Sequence, residues 1–317
     1  MDNHSTLHPG EQIGLGQTGV RIPPLGIGTW QWGDRLMWGF GKGYGEGDLR
    51  TAFDASIAAG VAFFDTAEVY GQGRSEQFLG RFMAESRTRP IIATKFMPLP
   101  WRLSKGSLRQ ALRKSLERLG LEQVDLYQIH WPFPPVSIEN WMDALADAVE
   151  AGLTRAVGVS NYNVAQMRRA HAALARRGIP LASNQVHYSL LHRGPERTGL
   201  LDACRELGVT LIAYSPLEQG MLSGKYSPDN PPPALRGRRY SREYLARIAP
   251  VIGRLREIGE RRGKTPGQVA LNWLICKGAV PIPGAKNARH VAESAGALGW
   301  RLSAAEVAAL DAASEGV

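Results

Sequence analysis

Eight short apolar segments, each followed by a helix-forming stretch, recur along the 317-residue chain at roughly 30-residue spacing, the length of a βα repeat. They predict an α/β fold, a closed (β/α)8 barrel (the TIM barrel) with an N-terminal hairpin and an extra C-terminal helix. Two further observations separate that fold from an open doubly wound sheet. No GxGxxG opens the first unit, since GIGTWQWG leads into no helix. Polar residues also close strand after strand: Asp65, Lys95, His130, Ser160 with Asn161, and Tyr214, with Gln185 on the sixth strand. In a barrel all of them gather at one carboxyl-end mouth. Barrels of this length form one domain, so residues 1–317 are read as a single unit.

Each element has its own warrant. LGQTGVRIPPLGIGTWQWG reads as a small hairpin turning at Thr18-Gly19, then a first strand near Leu25 to Trp30. A glycine- and aromatic-rich loop runs from Gln31 to Gly47, and a helix from Asp48, its expected N-cap, to Ala59, stopped by Gly60. VAFF makes a second, buried strand ending at Asp65; Tyr70, Gly71 and Gly73 form a loop and QFLGRFM a helix. Ile91 to Phe96 is the third strand, and Ser104 caps a helix to about Leu119. Strands follow at Val124 to His130, Thr154 to Asn161, around Asn184 to His187, Val209 to Pro216 and Ala279 to Gly284. Helices are expected over Ile138 to Ala151, after the cap Asn163, over Leu200 to Leu207, near Glu243 to Arg262, over Thr265 to Cys276, over Ala288 to Leu298, and finally over Ser303 to Ala313. The connection from Leu217 to Lys264 is far longer than the others. Long loops in compact domains are usually functional. This one contains RGRR at Arg236 to Arg239, which suggests either a clasp over a pyrophosphate or a surface loop whose arginines are merely solvated.

Composition removes several function classes. The chain is 44% hydrophobic and 21% charged, ordinary for a globular protein. Its net charge of +9 is scattered rather than interleaved with aromatics, so nucleic acid is not an expected partner. No apolar run approaches the roughly 20 residues of a membrane helix, and the polar MDNHSTLHPGEQ does not read as a signal peptide. Cys204 and Cys276 lie in apolar helical patterns and make neither a zinc signature nor a disulfide framework. Reduced thiols in a cytoplasmic protein are expected. No metal site and no oligomer is indicated.

Asp65, Tyr70, Lys95 and His130 come from adjacent strand ends and can meet in one pocket. A free phenol is a poor acid at neutral pH, because its pKa is about 10. A nearby lysine ammonium favours the phenolate, a carboxylate holds that lysine charged, and a histidine can bond the same substrate oxygen. The set suits proton donation to a carbonyl oxygen becoming an alkoxide. Trp32, Trp101, Trp131 and Phe133 follow strands one, three and four and could wall a pocket for apolar or aromatic carbonyls.

Specific stretches carry a family resemblance over nearly the whole chain, from about Leu15 to Ala313. They are DTAEVYG at Asp65, ATKF around Lys95, VDLYQIHWP from Val124, GVSNY from Gly158, NQVHYSLL from Asn184, AYSPLEQGMLSGKY from Ala213 and IPGAK from Ile282. The chain resembles the aldo-keto reductases, (β/α)8-barrel, NADPH-dependent carbonyl reductases, and within them a bacterial and plastid-like branch with a short C-terminus. The resemblance implies Tyr70 as general acid, tuned by Lys95 and Asp65, with His130 orienting the carbonyl. It implies Ser160, Asn161 and Gln185 on the carboxamide, and Tyr214 stacked on the nicotinamide. Ser215, Leu217, Gln219, Gly220 and Leu222 would run along the pyrophosphate, and Pro216 and Lys225 would also belong to the cofactor site. Ile282, Pro283, Gly284, Ala285, Lys286, Arg289, His290, Glu293 and Ser294 would take the adenosine end, with Lys286 or Arg289 on a 2′-phosphate. His290 and Ser294 depart from the residues many relatives carry there. Despite these departures, NADPH is expected ahead of NADH, with a small carbonyl compound as the other partner. The alternative is a cofactor-binding regulatory subunit like the channel-associated β subunits of the same fold; turnover separates the two.

Overall fold

A computed structural model describes residues 10–232 and 240–317. The arginine cluster at Arg236 to Arg239 lies outside those residues. Among them an antiparallel hairpin, β1 (Ile13–Gly14) and β2 (Arg21–Ile22), precedes eight parallel strands. These are β3 (Ile27–Gly28), β4 (Phe63–Asp65), β5 (Ile91–Phe96), β6 (Val124–Ile129), β7 (Thr154–Ser160), β8 (Leu181–His187), β9 (Thr210–Tyr214) and β10 (Val280–Pro281), each hydrogen-bonded to its neighbours in sequence order. The ring closes between β10 and β3. Gly26 and Gly28 donate to the carbonyls of Pro281 and Pro283 at 3.0 Å, and Gly28 bridges Gly284. Only glycine fits at 28, where a Cβ would stand 2.9 Å from the Ile282 carbonyl oxygen.

Strand alternation sorts the core into two parts. One face of the sheet packs on the helices, with Phe53, Phe82, Leu112, Leu145, Leu174 and Trp273 in that layer. The other face fills the barrel with Phe63, Ala93, Leu126, Ala156, Ala182, Ile212 and Val280. Leu15, Val20 and Ile22 of the hairpin join this inner cluster, so the hairpin plugs the end opposite the mouth.

Several boundaries differ from expectation. The first and eighth strands shrink to two residues each, because closure there runs through glycine and proline. The sixth begins at Leu181, three residues earlier than its polar pattern indicates. The first helix is Glu46–Ala58, and its N-cap is Gly45; Asp48 serves instead at the third helical position, accepting from the Gly45 amide at 2.8 Å. Ser104, Asn163 and Ser303 cap their helices as expected. Among the described residues the long connection contains a tight 3-10 turn, Glu218–Ser223, and the helix Arg242–Arg262. Cys204 is buried and Cys276 half-buried. Among the described residues no helix is long and apolar enough to cross a membrane, and no cluster of His, Cys, Asp or Glu is placed to hold a metal ion.

Candidate active site

One inward position above the inner apolar layer, the barrel turns polar on several strands. Asp65 lies two residues beyond Phe63, Lys95 beyond Ala93, Gln128 beyond Leu126 and Tyr214 beyond Ile212, so the period-2 alternation aims them at the mouth. On β8 a bulge does the aiming. Val157 pairs with Leu181 but Gly158 pairs with Ser183, which leaves Ala182 as the extra residue. Beyond it Ser183 and Gln185 turn inward, while Asn184 turns out to the Tyr162 carbonyl at 3.0 Å. Gly158 makes room for this layer, because a Cβ there would sit 2.3 Å from Ser183 Oγ.

Lys95 is fully buried. Its Nζ donates to Asp65 Oδ1 at 2.5 Å, to the Thr66 carbonyl at 2.9 Å and to the Tyr70 hydroxyl at 3.4 Å. Asp65 is buried too, and its other oxygen accepts from Gln185 Nε2 at 2.7 Å and Gln128 Nε2 at 3.4 Å. Burial, the largest single influence, lowers the lysine, but the charges of Asp65 and Tyr70 and the hydrogen bonds to both together outweigh it, and the ammonium titrates above its ordinary range. Burial raises the Tyr70 phenol; Lys95 opposes that shift, Asp65 adds to it, and the net direction is up. The lysine thus acts in the expected sense but does not overcome desolvation, and Tyr70 rests protonated at neutral pH. The His130 ring meets the Tyr70 ring edge-on at 5.8 Å. Burial and then Lys95 hold its pKa down at about 3, so it is a neutral imidazole. Among the described residues its buried Nδ1 has no partner.

The Tyr70 loop is held from both sides. Gly71 has φ 55° and packs so tightly that a Cβ would stand 2.8 Å from the Gly33 carbonyl carbon. A buried hydroxyl chain runs from Thr66 to Ser75 to Thr29 and on to the Asp65 carbonyl, with links of 2.8, 2.7 and 2.9 Å. Glu68 accepts from the Met97 amide at 2.8 Å and from both ends of the Arg102 guanidinium, which ties the Tyr70 loop to the loop after the Lys95 strand.

The residues expected around the carboxamide and nicotinamide come together, and they also hold each other. Ser160 Oγ donates to the Gln185 carbonyl at 2.8 Å, and Asn161 Nδ2 to the His130 carbonyl at 3.1 Å and to Ser160 Oγ at 3.0 Å. The Tyr214 hydroxyl donates to Asn161 Oδ1 at 3.0 Å. Asn161 reaches this geometry with φ 64°, which asparagine tolerates better than most residues. Beyond β9 the chain turns sharply through Ser215 (φ 51°), Gln219 (φ 52°) and Gly220 (φ 95°), with Pro216 and Leu222 buried and Leu217 half-buried. At the far end Ile282, Pro283 and Ala285 are buried, and Gly284 faces Gln31. Ser294 is buried and the Glu293 carboxylate accepts from Thr265 Oγ1. His290 lies among Lys225, Lys286 and Arg289; after burial, their charges hold its pKa down at about 4.

Trp32 does not reach the mouth. It is fully buried against Phe64 and Phe82, and its indole Nε1 donates to the Ala285 carbonyl at 2.8 Å. Its place is taken by Trp30, which is 37% exposed with its ring 6.4 Å from that of Tyr70. Trp131 and Phe133 stack parallel at 5.6 Å on the rim, and Trp101 stands out to solvent. Sequence reasoning also missed Gln128, Glu68 and Arg102. A signal existed for the first two: Gln128 is two residues before His130, on the same strand face, and Glu68 lies inside DTAEVYG.

The family model described as the Aldo/keto reductase family matches residues 24–315. A chloroplastic pyridoxal reductase of Arabidopsis thaliana is 43% identical over 308 residues, 93% of this chain and 83% of that protein. The aldo-keto reductase yakc [NADP(+)] of Schizosaccharomyces pombe is 35% identical over 78% of this chain and 77% of its own. Among solved structures, the thermostable aldo-keto reductase Tm1743, in complex with the inhibitor epalrestat, superposes with a TM-score of 0.76 at 32% identity, covering 96% of this chain and 99% of that one.

Proposed function

The chain belongs to the aldo/keto reductase family and is an NAD(P)H-dependent oxidoreductase; from that premise we propose that it reduces aldehydes or ketones to alcohols with NADPH, the proton coming from Tyr70. The observation that carries this reading is the buried Asp65–Lys95–Tyr70 chain, with links of 2.5 and 3.4 Å, beside a neutral His130. Burial keeps the phenol loaded with its proton. As the proton leaves for the carbonyl oxygen, the Lys95 ammonium compensates the charge left on the phenolate, and Asp65 keeps that ammonium in place. The neutral His130 ring offers a hydrogen bond to the same oxygen without competing for the proton. NADPH, when bound, would supply the hydride for the carbonyl carbon, so carbon and oxygen would each gain one hydrogen and the product would be the alcohol. Ser160, Asn161 and Gln185 are the proposed carboxamide ligands, and Tyr214 the nicotinamide platform.

The cations around His290 support NADPH over NADH. Three positive side chains crowd a histidine that stays neutral, an arrangement that suits a phosphate. The aromatic rim of Trp30, Trp131 and Phe133 suits flat or apolar carbonyls. A relative named for pyridoxal, an aromatic aldehyde, makes pyridoxal the first substrate to try. The test is oxidation of NADPH, and of NADH, with pyridoxal, other aromatic aldehydes, short aliphatic aldehydes and an aldose. Turnover favouring NADPH and aromatic aldehydes is expected. NADPH binding without turnover of any carbonyl would leave the regulatory-subunit reading in its place.

A further inference from the structure

Behind Tyr214 stands a second layer of rings with no part in the proton and hydride steps. β8 ends at His187, which pairs in register with Tyr214 of β9. Side chains at paired positions stand side by side, and the two rings stack at 5.4 Å and 13°. The chain then doubles back through a Ser189–His192 bridge, which lays His192 on the outer face of His187 at 4.0 Å and 7°. One face of Tyr214 is therefore covered and its hydroxyl is tied to Asn161, so a ligand stacking on this ring would take the opposite face.

His187 is also bonded in the plane of its ring. Its Nε2 and Glu218 Oε1 are 2.5 Å apart, and the same carboxylate oxygen accepts from Ser189 Oγ at 2.8 Å. Glu218 is 8% exposed and has φ 46°, a costly combination for a non-glycine residue carrying a carboxylate. It opens the Glu218–Ser223 turn, where its amide donates to the Ser215 carbonyl at 3.0 Å. That turn is the segment proposed to run along the pyrophosphate.

We propose that His187 is a positioning residue for the dinucleotide: its ring backs Tyr214 as the nicotinamide platform, and its bond to Glu218 locks the pyrophosphate turn. One side chain thereby couples two halves of the cofactor site. The inference rests on the placement of the nicotinamide on Tyr214 given above.

The two roles separate by substitution. His187→Phe keeps a flat ring and loses the bond to Glu218; His187→Gln keeps a bonding partner and loses the ring. NADPH affinity, read by quenching of intrinsic fluorescence, should weaken about tenfold in His187→Phe and stay within about threefold in His187→Gln. Single-turnover hydride transfer at saturating NADPH should show the reverse, slowing about tenfold in His187→Gln and little in His187→Phe, because a small misplacement of reacting groups is expensive. His187→Ala should lose both. A merely structural role would lower the melting temperature without this split. His187→Ala with wild-type affinity and transfer rate, or Phe and Gln variants indistinguishable in both, would overturn the proposal. Tyr214→Ala is the control: unchanged NADPH affinity there removes the platform itself, whatever the His187 variants do.

Discussion

Replacing Lys95 with methionine perturbs the site at its most buried charge. The side-chain volume is nearly kept, but Asp65 loses the ammonium at 2.5 Å and keeps only Gln185 at 2.7 Å and the long contact to Gln128 at 3.4 Å, while the Thr66 carbonyl loses its 2.9 Å donor. Two bonds from a charged group, each worth about 1.5–3 kcal/mol, vanish. The expected loss is about 3–5 kcal/mol, the range for removing one partner of a buried pair. Tyr70 meanwhile loses the positive charge that opposes burial and keeps the negative one that adds to it, so its titration moves further up. The phenol becomes a weaker acid, and carbonyl reduction should slow at least about 100-fold. Urea unfolding measures the first effect, and the pH dependence of kcat/KM the second, through an alkaline limb displaced upward. Adding Asp65→Asn should recover much of the stability and little of the activity, since the stranded carboxylate is then gone but the tuning charge is still missing. A Lys95→Met protein within about 1 kcal/mol of wild type, with an unmoved alkaline limb, would refute the reasoning.

His130→Gln should change the acid stability of the protein. The folded-state pKa of His130, about 3, lies below its ordinary 6.5. The unfolded chain therefore binds the proton first, and stability is complete above about 6.5 and declines as pH falls toward 3. Between pH 7 and pH 5 His130 should cost the wild type about 2 kcal/mol that His130→Gln does not lose, measured by urea midpoints; an equal decline in both proteins contradicts the assignment. His290 titrates in both and cancels from the difference. Lys286→Ala with Arg289→Ala should weaken NADPH at least about tenfold and NADH within about twofold, most strongly at low salt; equal losses for the two cofactors would take the 2′-phosphate away from these side chains. Gly71→Ala should destabilise by about 1–3 kcal/mol and slow turnover by displacing Tyr70, since its positive φ and the Gly33 backbone both reject a Cβ. Unchanged melting and turnover would show that the loop yields.

The barrel and the strand-end polar residues were legible because alternation and the βα repeat leave period and spacing in the sequence. Asp65, Lys95 and His130 could be placed from strand ends alone. Gln185 needed more: the bulge at Ala182 decides that Gln185, rather than Asn184, meets Asp65, and nothing in ASNQVHYS marks a bulge. Trp32 and Trp30 were exchanged for a similar reason, since a two-residue strand closed through Gly28 gives too little alternation to say which indole is buried. The net upward shift of Tyr70 was also hidden. Sequence shows the charges that surround a phenol, but not the depth of burial they must overcome.

The proposed role of the Tyr70 hydroxyl is to give its proton to the substrate oxygen. The most direct test is single-turnover reduction of an aromatic aldehyde by saturating NADPH in wild type and Tyr70→Phe, with NADPH affinity measured on the same preparations. Equal affinity within about threefold is expected, with reduction at least about 100-fold slower in the variant. A Tyr70→Phe enzyme that binds NADPH normally and reduces the aldehyde at near the wild-type rate would contradict it.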